Sequence, residues 1–259
     1  MSSAAELAVA YAFCNAPVQA FPYPHVYVRD IFPRDFYEKL LSQLPPSEAL
    51  KPLLEARSVK GYPERFVLGL TEAEIATLPE QYRAFWRELA RWMTGGRFMR
   101  LVLDKFGPYI SQRFAGQASL ELTDEALLIE DRTNYSLGPH TDAVTKVVSM
   151  LFYLPVDESQ AHLGTSIYVP RDPSFTCPGG PHHAFDRFEH MAAMPFLPNT
   201  MFAFVKTDNA FHGVEPVRDA DARRHLLLYD IRLAKVPEPV APGTGGSTGV
   251  PSSGARFTF

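Results

Sequence analysis

Two histidines and one aspartate in the second half of the chain have the types and spacing of a metal site. His140 and Asp142 are two residues apart, and on a β-strand this spacing places both side chains on one face. His212 follows much later, after enough chain for several strands. Two imidazoles and one carboxylate suit Fe(II) or Mn(II), and on one face of the metal they leave positions open for a cosubstrate and O₂. The three residues therefore predict a non-haem iron centre.

Two adjacent arginines strengthen this interpretation, because a His-x-Asp pair alone is common in proteins without a metal. Arg223 and Arg224 begin the last β-like run of the chain. A guanidinium makes paired hydrogen bonds with a carboxylate, so it could hold the far carboxylate of a 2-oxo acid that chelates the iron. Because side chains alternate along a strand, only one of the two can point inward. The alternative is that both are exposed charges that follow the acidic turn at residues 219–221.

Composition narrows the class of protein. The chain has 259 residues, of which 46% are hydrophobic and 21% charged, as in soluble globular proteins. The net charge of -4 gives no basic excess for nucleic acid. The N-terminus lacks the basic start of a signal peptide, and the longest apolar run is too short to cross a membrane. Two cysteines far apart do not form a disulfide framework or a thiolate site. We expect a cytoplasmic protein without nucleic-acid or membrane partners.

The elements that must position these residues change in character near Ala118. Before it, the sequence predicts a strand at His25–Val28 and a helix over residues 33–44. A capping box at Thr71 predicts a second helical stretch, which is broken near residues 95–96 and resumes to about Phe106. After Ala118, short β-like runs between turns indicate a sandwich or barrel. The predicted strands cover residues 120–132, 136–141, 146–154, 165–169, 191–196, 200–206, 210–217 and 223–233.

Two further segments are predicted to be loops. Residues 170–189 contain Cys-Pro-Gly-Gly-Pro-His-His and several aromatic residues, and we expect them to form a lid. Residues 236–254 are rich in Pro, Gly, Ser and Thr, so residues 236–259 are predicted to be a flexible tail.

Five stretches of sequence together resemble the Fe(II)/2-oxoglutarate-dependent dioxygenase superfamily, close to its prolyl-hydroxylase-like branch. They are FPYPHVYVRDIFPRDFYEKLLSQLP, YSLGPHTDAVTKVVSMLFYLP, LGTSIYVP, PNTMFAFVKTDNAFHGVEPV and RRHLLLYDIRL, and the resemblance covers about residues 21–233. It implies a mainly β (α+β) protein in which N-terminal helices support a double-stranded β-helix, the jelly roll of cupins. The expected domain spans residues 1–235, with helical support to about 117 and the jelly-roll core from about 118.

The resemblance also implies roles for single residues. His140, Asp142 and His212 match the iron ligands. Arg223 matches the basic residue that binds the C5 carboxylate of 2-oxoglutarate. Related proteins often have serine two positions after that arginine, where this chain has His225, so Arg224 remains a rival.

Three more residues are candidates for the pocket. Tyr135 matches a position that often faces the cosubstrate, although it could be an ordinary strand aromatic. Lys146 and Asn209 flank the site in sequence and are candidates to contact substrate, although the pattern around Lys146 favours a solvated lysine.

The expected activity is that of a 2-oxoglutarate-dependent dioxygenase. It would hydroxylate an unactivated C–H bond of a small molecule (an amino acid, a sugar-type metabolite or a natural-product intermediate) with release of succinate and CO₂. The cofactors implied are Fe(II), 2-oxoglutarate and O₂, with ascorbate as a stimulant, and a homodimer is the assembly considered. The first alternative is a peptidyl or prolyl-type protein hydroxylase, which an open groove would favour. The second is a non-catalytic or 2-oxoglutarate-independent cupin-like metal-binding protein.

Overall fold

The structure is a computed structural model that describes residues 3–235 and 255–258. Its α-helices all lie before the jelly-roll core, and short 3₁₀ turns occur at Ser47–Ala49, Glu158–Leu163 and Phe185–Arg187. The helices are α1 (Ser3–Asn15), α2 (Arg34–Ser42), α3 (Leu53–Arg57), α4 (Glu72–Ile75), α5 (Glu80–Met93) and α6 (Arg97–Arg113). The strands are β1 (His25–Arg29), β2 (Lys51–Pro52), β3 (Arg65–Gly69), β4 (Ser119–Arg132), β5 (Leu137–His140), β6 (Lys146–Tyr153), β7 (Thr165–Pro170), β8 (Phe188–Met194), β9 (Thr200–Val205), β10 (His212–Val214), β11 (Arg223–Leu233) and β12 (Ala255–Thr258).

Two antiparallel sheets form the core. The large sheet has the order β1-β9-β6-β11-β4-β3-β2, with β12 also paired to β4, and the small sheet has the order β5-β10-β7-β8. The eight strands from β4 to β11 are shared between the two sheets. The last four of them pair with the first four in reverse order. Thus β4 pairs with β11, β5 with β10, β6 with β9 and β7 with β8. This pairing is that of a jelly roll, and the predicted fold class is confirmed.

The large sheet is covered on both faces, which explains why its strands do not alternate between apolar and polar residues. Its outer face packs against the N-terminal helices, for example through Phe98 of α6, whose ring lies 4.9 Å from that of Tyr229. Its inner face packs towards the small sheet through residues such as Phe204 and Leu226. As a result every residue of β9 is buried, as expected of a strand enclosed on two sides.

The helical support differs from the prediction in its extent and in one further break, because the stretch predicted to run on from Thr71 ends at Ile75 and α5 begins anew after its N-cap Pro79. The Thr71 side chain accepts a hydrogen bond from the Glu74 backbone N–H at 3.2 Å, so the predicted cap is present. Gly96, at φ 75°, separates α5 from α6 in a left-handed conformation that glycine adopts readily. Helix α6 continues past the predicted end, even through Pro108, because its buried face extends to Ile110.

Other elements were not predicted individually. Helix α1 and the short strands β2 and β3 are additions, and β8 starts at Phe188, earlier than predicted. Most of the predicted tail, residues 236–254 and 259, lies outside the described residues. Within it, β12 pairs with the start of β4, with Ala255 opposite Leu122. Among the described residues, none of the helices combines the length and apolar character needed to cross a membrane.

Candidate metal centre

The structure brings His140, Asp142 and His212 together between the two sheets. His140 at the end of β5 lies directly opposite His212 at the start of β10, and their ring centroids are 4.4 Å apart. Asp142 follows in the turn after β5, with Oδ1 3.9 Å from Nε2 of each histidine. All three side chains are buried, and their candidate ligand atoms lie within 4.8 Å of one another.

Backbone carbonyls fix the tautomer of both histidines. Nδ1 of His140 lies 3.0 Å from the Gly138 carbonyl oxygen, and Nδ1 of His212 lies 3.0 Å from that of Ala210. Because a carbonyl oxygen only accepts hydrogen bonds, each Nδ1 must carry the proton and donate it. Each Nε2 then presents its lone pair towards Asp142, which is the arrangement that metal-binding histidines commonly have. The sequence did not identify these partners.

The carboxylate of Asp142 is oriented by its own set of contacts. The Ser149 hydroxyl donates to Oδ2 at 2.7 Å, which leaves Oδ1 facing the two imidazoles. Lys146 Nζ lies 3.3 Å from the same Oδ1 and 3.0 Å from Oδ2 of the buried Asp230. Lys146 is therefore a mostly buried residue of the site, and the alternative of a solvated lysine is wrong.

The charge states of the three residues suit a divalent cation. Burial, with repulsion from His212, lowers the pKa of His140 to about 3, and burial also lowers the pKa of His212. Burial would raise the pKa of Asp142, but Lys146 and the two imidazoles outweigh it and hold this pKa below its usual range. Near neutral pH the site thus has two neutral imidazoles and one carboxylate, the forms that bind metals.

The donor set and its spacing fit a small first-row metal ion. Such an ion bonds to imidazole nitrogen and carboxylate oxygen at about 2.1 Å, so neighbouring donors on one face of an octahedron lie about 3 Å apart. The two histidine–aspartate pairs, at 3.9 Å, need to close by about 1 Å, and all candidate ligand atoms lie within 4.8 Å of one another. The mixture of imidazole and carboxylate is the one expected for Fe(II) with open coordination positions.

The three residues line one end of a cavity of about 150 Å³ between the sheets. Its walls combine apolar side chains with polar and charged ones, which come from both sheets and from the segment before β3. The lining residues are Tyr62, Arg65, Ile129, Leu137, His140, Asp142, Lys146, Ser149, Leu151, Thr165, Phe204, His212, Val214, Arg224, Leu226 and Leu228.

The two adjacent arginines face opposite sides of the large sheet. Arg224 is fully buried and lines the cavity. Arg223 points to the outer face, where 59% of its side chain is exposed and its guanidinium contacts Ser47 and lies 4.0 Å from Glu130. The prediction that Arg223 lies in the pocket is therefore wrong, because alternation along β11 turns Arg224 inward instead.

Arg224 is held firmly but keeps one donor group free. Its Nε donates to the Leu163 carbonyl at 2.7 Å and its Nη1 to Oδ2 of Asp131 at 2.8 Å. Its guanidinium also lies 4.6 Å from the centroid of the Phe196 ring. None of the described residues offers a hydrogen-bond partner to its buried Nη2. A buried cationic donor without a partner is costly, so this atom marks a place for an acceptor.

A second arginine in the cavity was missed by the sequence reasoning. Arg65 of β3 donates to Asp131 through Nε at 2.6 Å and Nη2 at 2.9 Å, and its guanidinium lies 4.4 Å from the centroid of the Tyr135 ring. The only signal available was the short apolar run that follows Arg65, which predicts a strand but does not say which sheet position it takes.

The remaining candidates fall in different places. Tyr135 is fully buried beside Arg65, and its hydroxyl has no partner among the described residues, but it is not part of the cavity wall. Asn209 is exposed and stays outside the cavity, because its amide donates to the Pro22 carbonyl and its Oδ1 accepts from Thr207. Its predicted contact with substrate therefore stays a prediction, and its hydrogen bonds connect two loops.

The loop expected to act as a lid closes over the metal end. The Thr141 hydroxyl donates to the Cys177 carbonyl at 2.7 Å, and the His183 N–H donates to the Pro139 carbonyl at 2.9 Å. In the same loop, the His182 ring lies 4.8 Å from that of His140. Its Nε2 is hydrogen-bonded to the Tyr62 hydroxyl at 2.7 Å, so two segments meet at the mouth of the cavity.

The chain matches no family model and no curated protein. Among solved structures, it is similar to a prolyl-4-hydroxylase from Pseudomonas putida, with 15% identity and a TM-score of 0.47 over 89% of this chain and 100% of that one. It is also similar to SnoN, a non-haem alpha-ketoglutarate-dependent epimerase from nogalamycin biosynthesis, with 15% identity and a TM-score of 0.45 over 93% and 91%. HygX from Streptomyces hygroscopicus, with nickel and 2-oxoglutarate bound, gives 13% and 0.44 over 81% and 83%. These are likenesses of architecture.

Proposed function

We propose that the protein is an Fe(II)- and 2-oxoglutarate-dependent dioxygenase that hydroxylates a C–H bond of a small molecule. The observation that carries the proposal is the shared cavity: three metal-binding side chains line it, and so does Arg224 with its free Nη2. A 2-oxo acid with a second carboxylate can chelate a metal at one end and accept hydrogen bonds from a guanidinium at the other.

His140, Asp142 and His212 would hold the iron, which when bound supplies the activation of O₂ that couples decarboxylation of 2-oxoglutarate to hydroxylation of the substrate. The chain's own residues orient and shield this chemistry. Ser149 holds the Asp142 carboxylate in one rotation, and the carbonyls behind the histidines keep Nε2 available.

The size of the cavity fits the cosubstrate. A cavity of about 150 Å³ is well above the roughly 10–15 Å³ that one buried water needs, so it has room for a small molecule such as 2-oxoglutarate, which has five carbons and five oxygens. Leu226 and Leu228 line the wall beyond Arg224 on the same face of β11, so the middle of the cavity excludes water. The molecule to be oxidised must then approach from the mouth.

The mouth supports a small molecule as the substrate. The loop before β8 is tied to the segment after β5 and, through His182, to Tyr62, and contacts of this kind favour a closed approach over an open groove. A peptide would need such a groove. The peptidyl hydroxylase remains the alternative, and a substrate screen includes it.

The adjacent arginines provide a matched pair of variants. In the Fe(II)-loaded protein without O₂, we expect Arg224→Met to weaken 2-oxoglutarate binding by about 10- to 100-fold, as for the loss of one charge-assisted hydrogen bond from its free Nη2. Arg223→Met, on the outer face, should bind like the parent. Calorimetry measures both, and metal titration checks that each variant keeps one Fe(II).

Turnover is then tested by succinate release with amino acids, peptides and sugar derivatives. Absence of stoichiometric Fe(II) binding by the parent protein would overturn the proposal. So would a loss of 2-oxoglutarate binding in Arg223→Met but not in Arg224→Met. A parent protein that binds Fe(II) but not 2-oxoglutarate would be a cupin-like metal-binding protein instead.

A further inference from the structure

The end of the cavity opposite the metal carries more positive than negative charge. Arg65, Asp131 and Arg224, here called the arginine end, supply two guanidinium groups and one carboxylate. The side chains of Asp131 and Arg224 are 0% exposed and that of Arg65 is 16% exposed. Among the described residues that line the cavity, the one carboxylate is Asp142, which belongs to the metal end. A buried excess charge is costly unless it has a partner.

Asp131 fixes the position of both guanidinium groups. Its Oδ1 accepts from Arg65 Nε, and its Oδ2 accepts from Arg65 Nη2 and from Arg224 Nη1. Aromatic rings hold the planes of the two cations, Tyr135 beside Arg65 and Phe196 beside Arg224. The carboxylate therefore cancels one of the two charges while it holds both groups in place.

We propose that Arg65, positioned by Asp131, is the second cation of the cosubstrate site and makes the cavity selective for a dicarboxylic over a monocarboxylic 2-oxo acid. This inference rests on the proposed function. Without Arg65, the pair formed by Arg224 and Asp131 is neutral, so Arg224 can still donate hydrogen bonds but the arginine end no longer attracts an anion. Arg65 and Asp131 act through charge and position.

The opposite face of β4 offers a matched control. There Arg132 Nε donates to the buried Glu130 at 2.7 Å, so an arginine again pairs with a buried carboxylate, but outside the cavity. If Arg65 only neutralises Asp131, then Arg65→Gln and Arg132→Gln should affect stability and leave ligand selectivity alone.

The test compares two ligands of the Fe(II)-loaded full chain under argon. 2-Oxoglutarate and 2-oxopentanoate have the same five-carbon chain, and only the first has the distal carboxylate. Calorimetry gives the ratio of their dissociation constants. We expect Arg65→Gln to lower the preference for 2-oxoglutarate by about tenfold, as for one weakened charged contact, and Arg132→Gln to leave it unchanged.

A double variant separates charge from structure. Arg65→Gln with Asp131→Asn removes one positive and one negative group, so Arg224 again supplies a net positive charge, and most of the preference should return. If Arg65→Gln does not fold, Arg65→Lys keeps the charge and should keep the preference, whereas the double variant still reports on charge.

A preference within twofold of the parent in Arg65→Gln would overturn the inference, as would a double variant no better than the single one. A parent protein with no preference for 2-oxoglutarate would instead count against the proposed function. The two failures can therefore be told apart.

Discussion

The hydroxyl of Ser149 provides a direct test of the metal centre, because it touches a predicted ligand without being one. It donates to Asp142 Oδ2 at 2.7 Å and so keeps Oδ1 towards the two histidines. In Ser149→Ala the carboxylate loses this hydrogen bond and can rotate away from the imidazoles. A hydrogen bond to a charged group contributes about 1.5–3 kcal/mol.

That energy corresponds to a weakening of metal binding by about 10- to 100-fold, the usual range for groups that orient a ligand. The assay is titration with Mn(II), which avoids oxidation by air, followed by competition with Fe(II) under argon. The expected result is one metal per chain with a raised dissociation constant.

Ser47→Ala is the control for this measurement. Ser47 is also buried and also donates to a buried carboxylate, that of Glu130, but on the outer face of the large sheet. The substitution should cost stability without changing metal affinity. A dissociation constant of Ser149→Ala within twofold of the parent, or an equal loss in both variants, would refute the placement of the metal at Asp142.

Two further predictions concern stability. Glu130 accepts hydrogen bonds from Ser47, Arg132 and His225, which outweigh the effect of burial and lower its pKa to about 2. An unfolded glutamate has a pKa of about 4.3, so its contribution is present above that pH and is lost as the pH falls towards 2. The free energy of unfolding of Glu130→Gln, measured with urea, should therefore depend less on pH in this window than that of the parent. Equal pH dependence in the two proteins would contradict this. Asn199, at φ 55°, makes two side-chain hydrogen bonds with the Phe32 backbone, at 2.9 and 2.8 Å. Asn199→Ala should therefore lower the free energy of unfolding in urea by about 3–5 kcal/mol. A loss below about 1 kcal/mol would contradict the assignment of these bonds.

The jelly-roll core could be predicted because its strands are short apolar runs with clear turns between them. The observed β4, β6, β7, β9 and β11 agree with the predicted runs to within a residue or two. The same pattern could not predict β3, because its five residues stand alone between loops and helices. Its position beside β4 comes from register, which depends on tertiary contacts rather than on local sequence.

The candidate site was predictable where its residues are close in sequence. His140 and Asp142 lie together because they are two residues apart, although Asp142 follows the end of β5 instead of lying on it. His212 joins them through a cross-strand pairing with His140 that spacing alone does not give. Arg65 could not be found, since its neighbour at the site in sequence is Tyr62, and a tyrosine and an arginine three residues apart form no recognisable binding pattern. Alternation predicted that only one of the adjacent arginines faces inward, but which one it is depends on the register of β11 against β4.

The phase of β11 also determines which changes of chain length the cavity can tolerate. Leucines further along the strand pair with both β4 and β6, so they resist sliding, and a change near the strand start would shift only the residues before it. Deletion of His225 would move Arg224 outward and bring Arg223 into its place, so the cavity would keep a guanidinium. Insertion of one residue directly after His225 would put His225 at the inward position of Arg224 instead. The arginine doublet thus makes the site robust to a shortened strand start and vulnerable to a lengthened one.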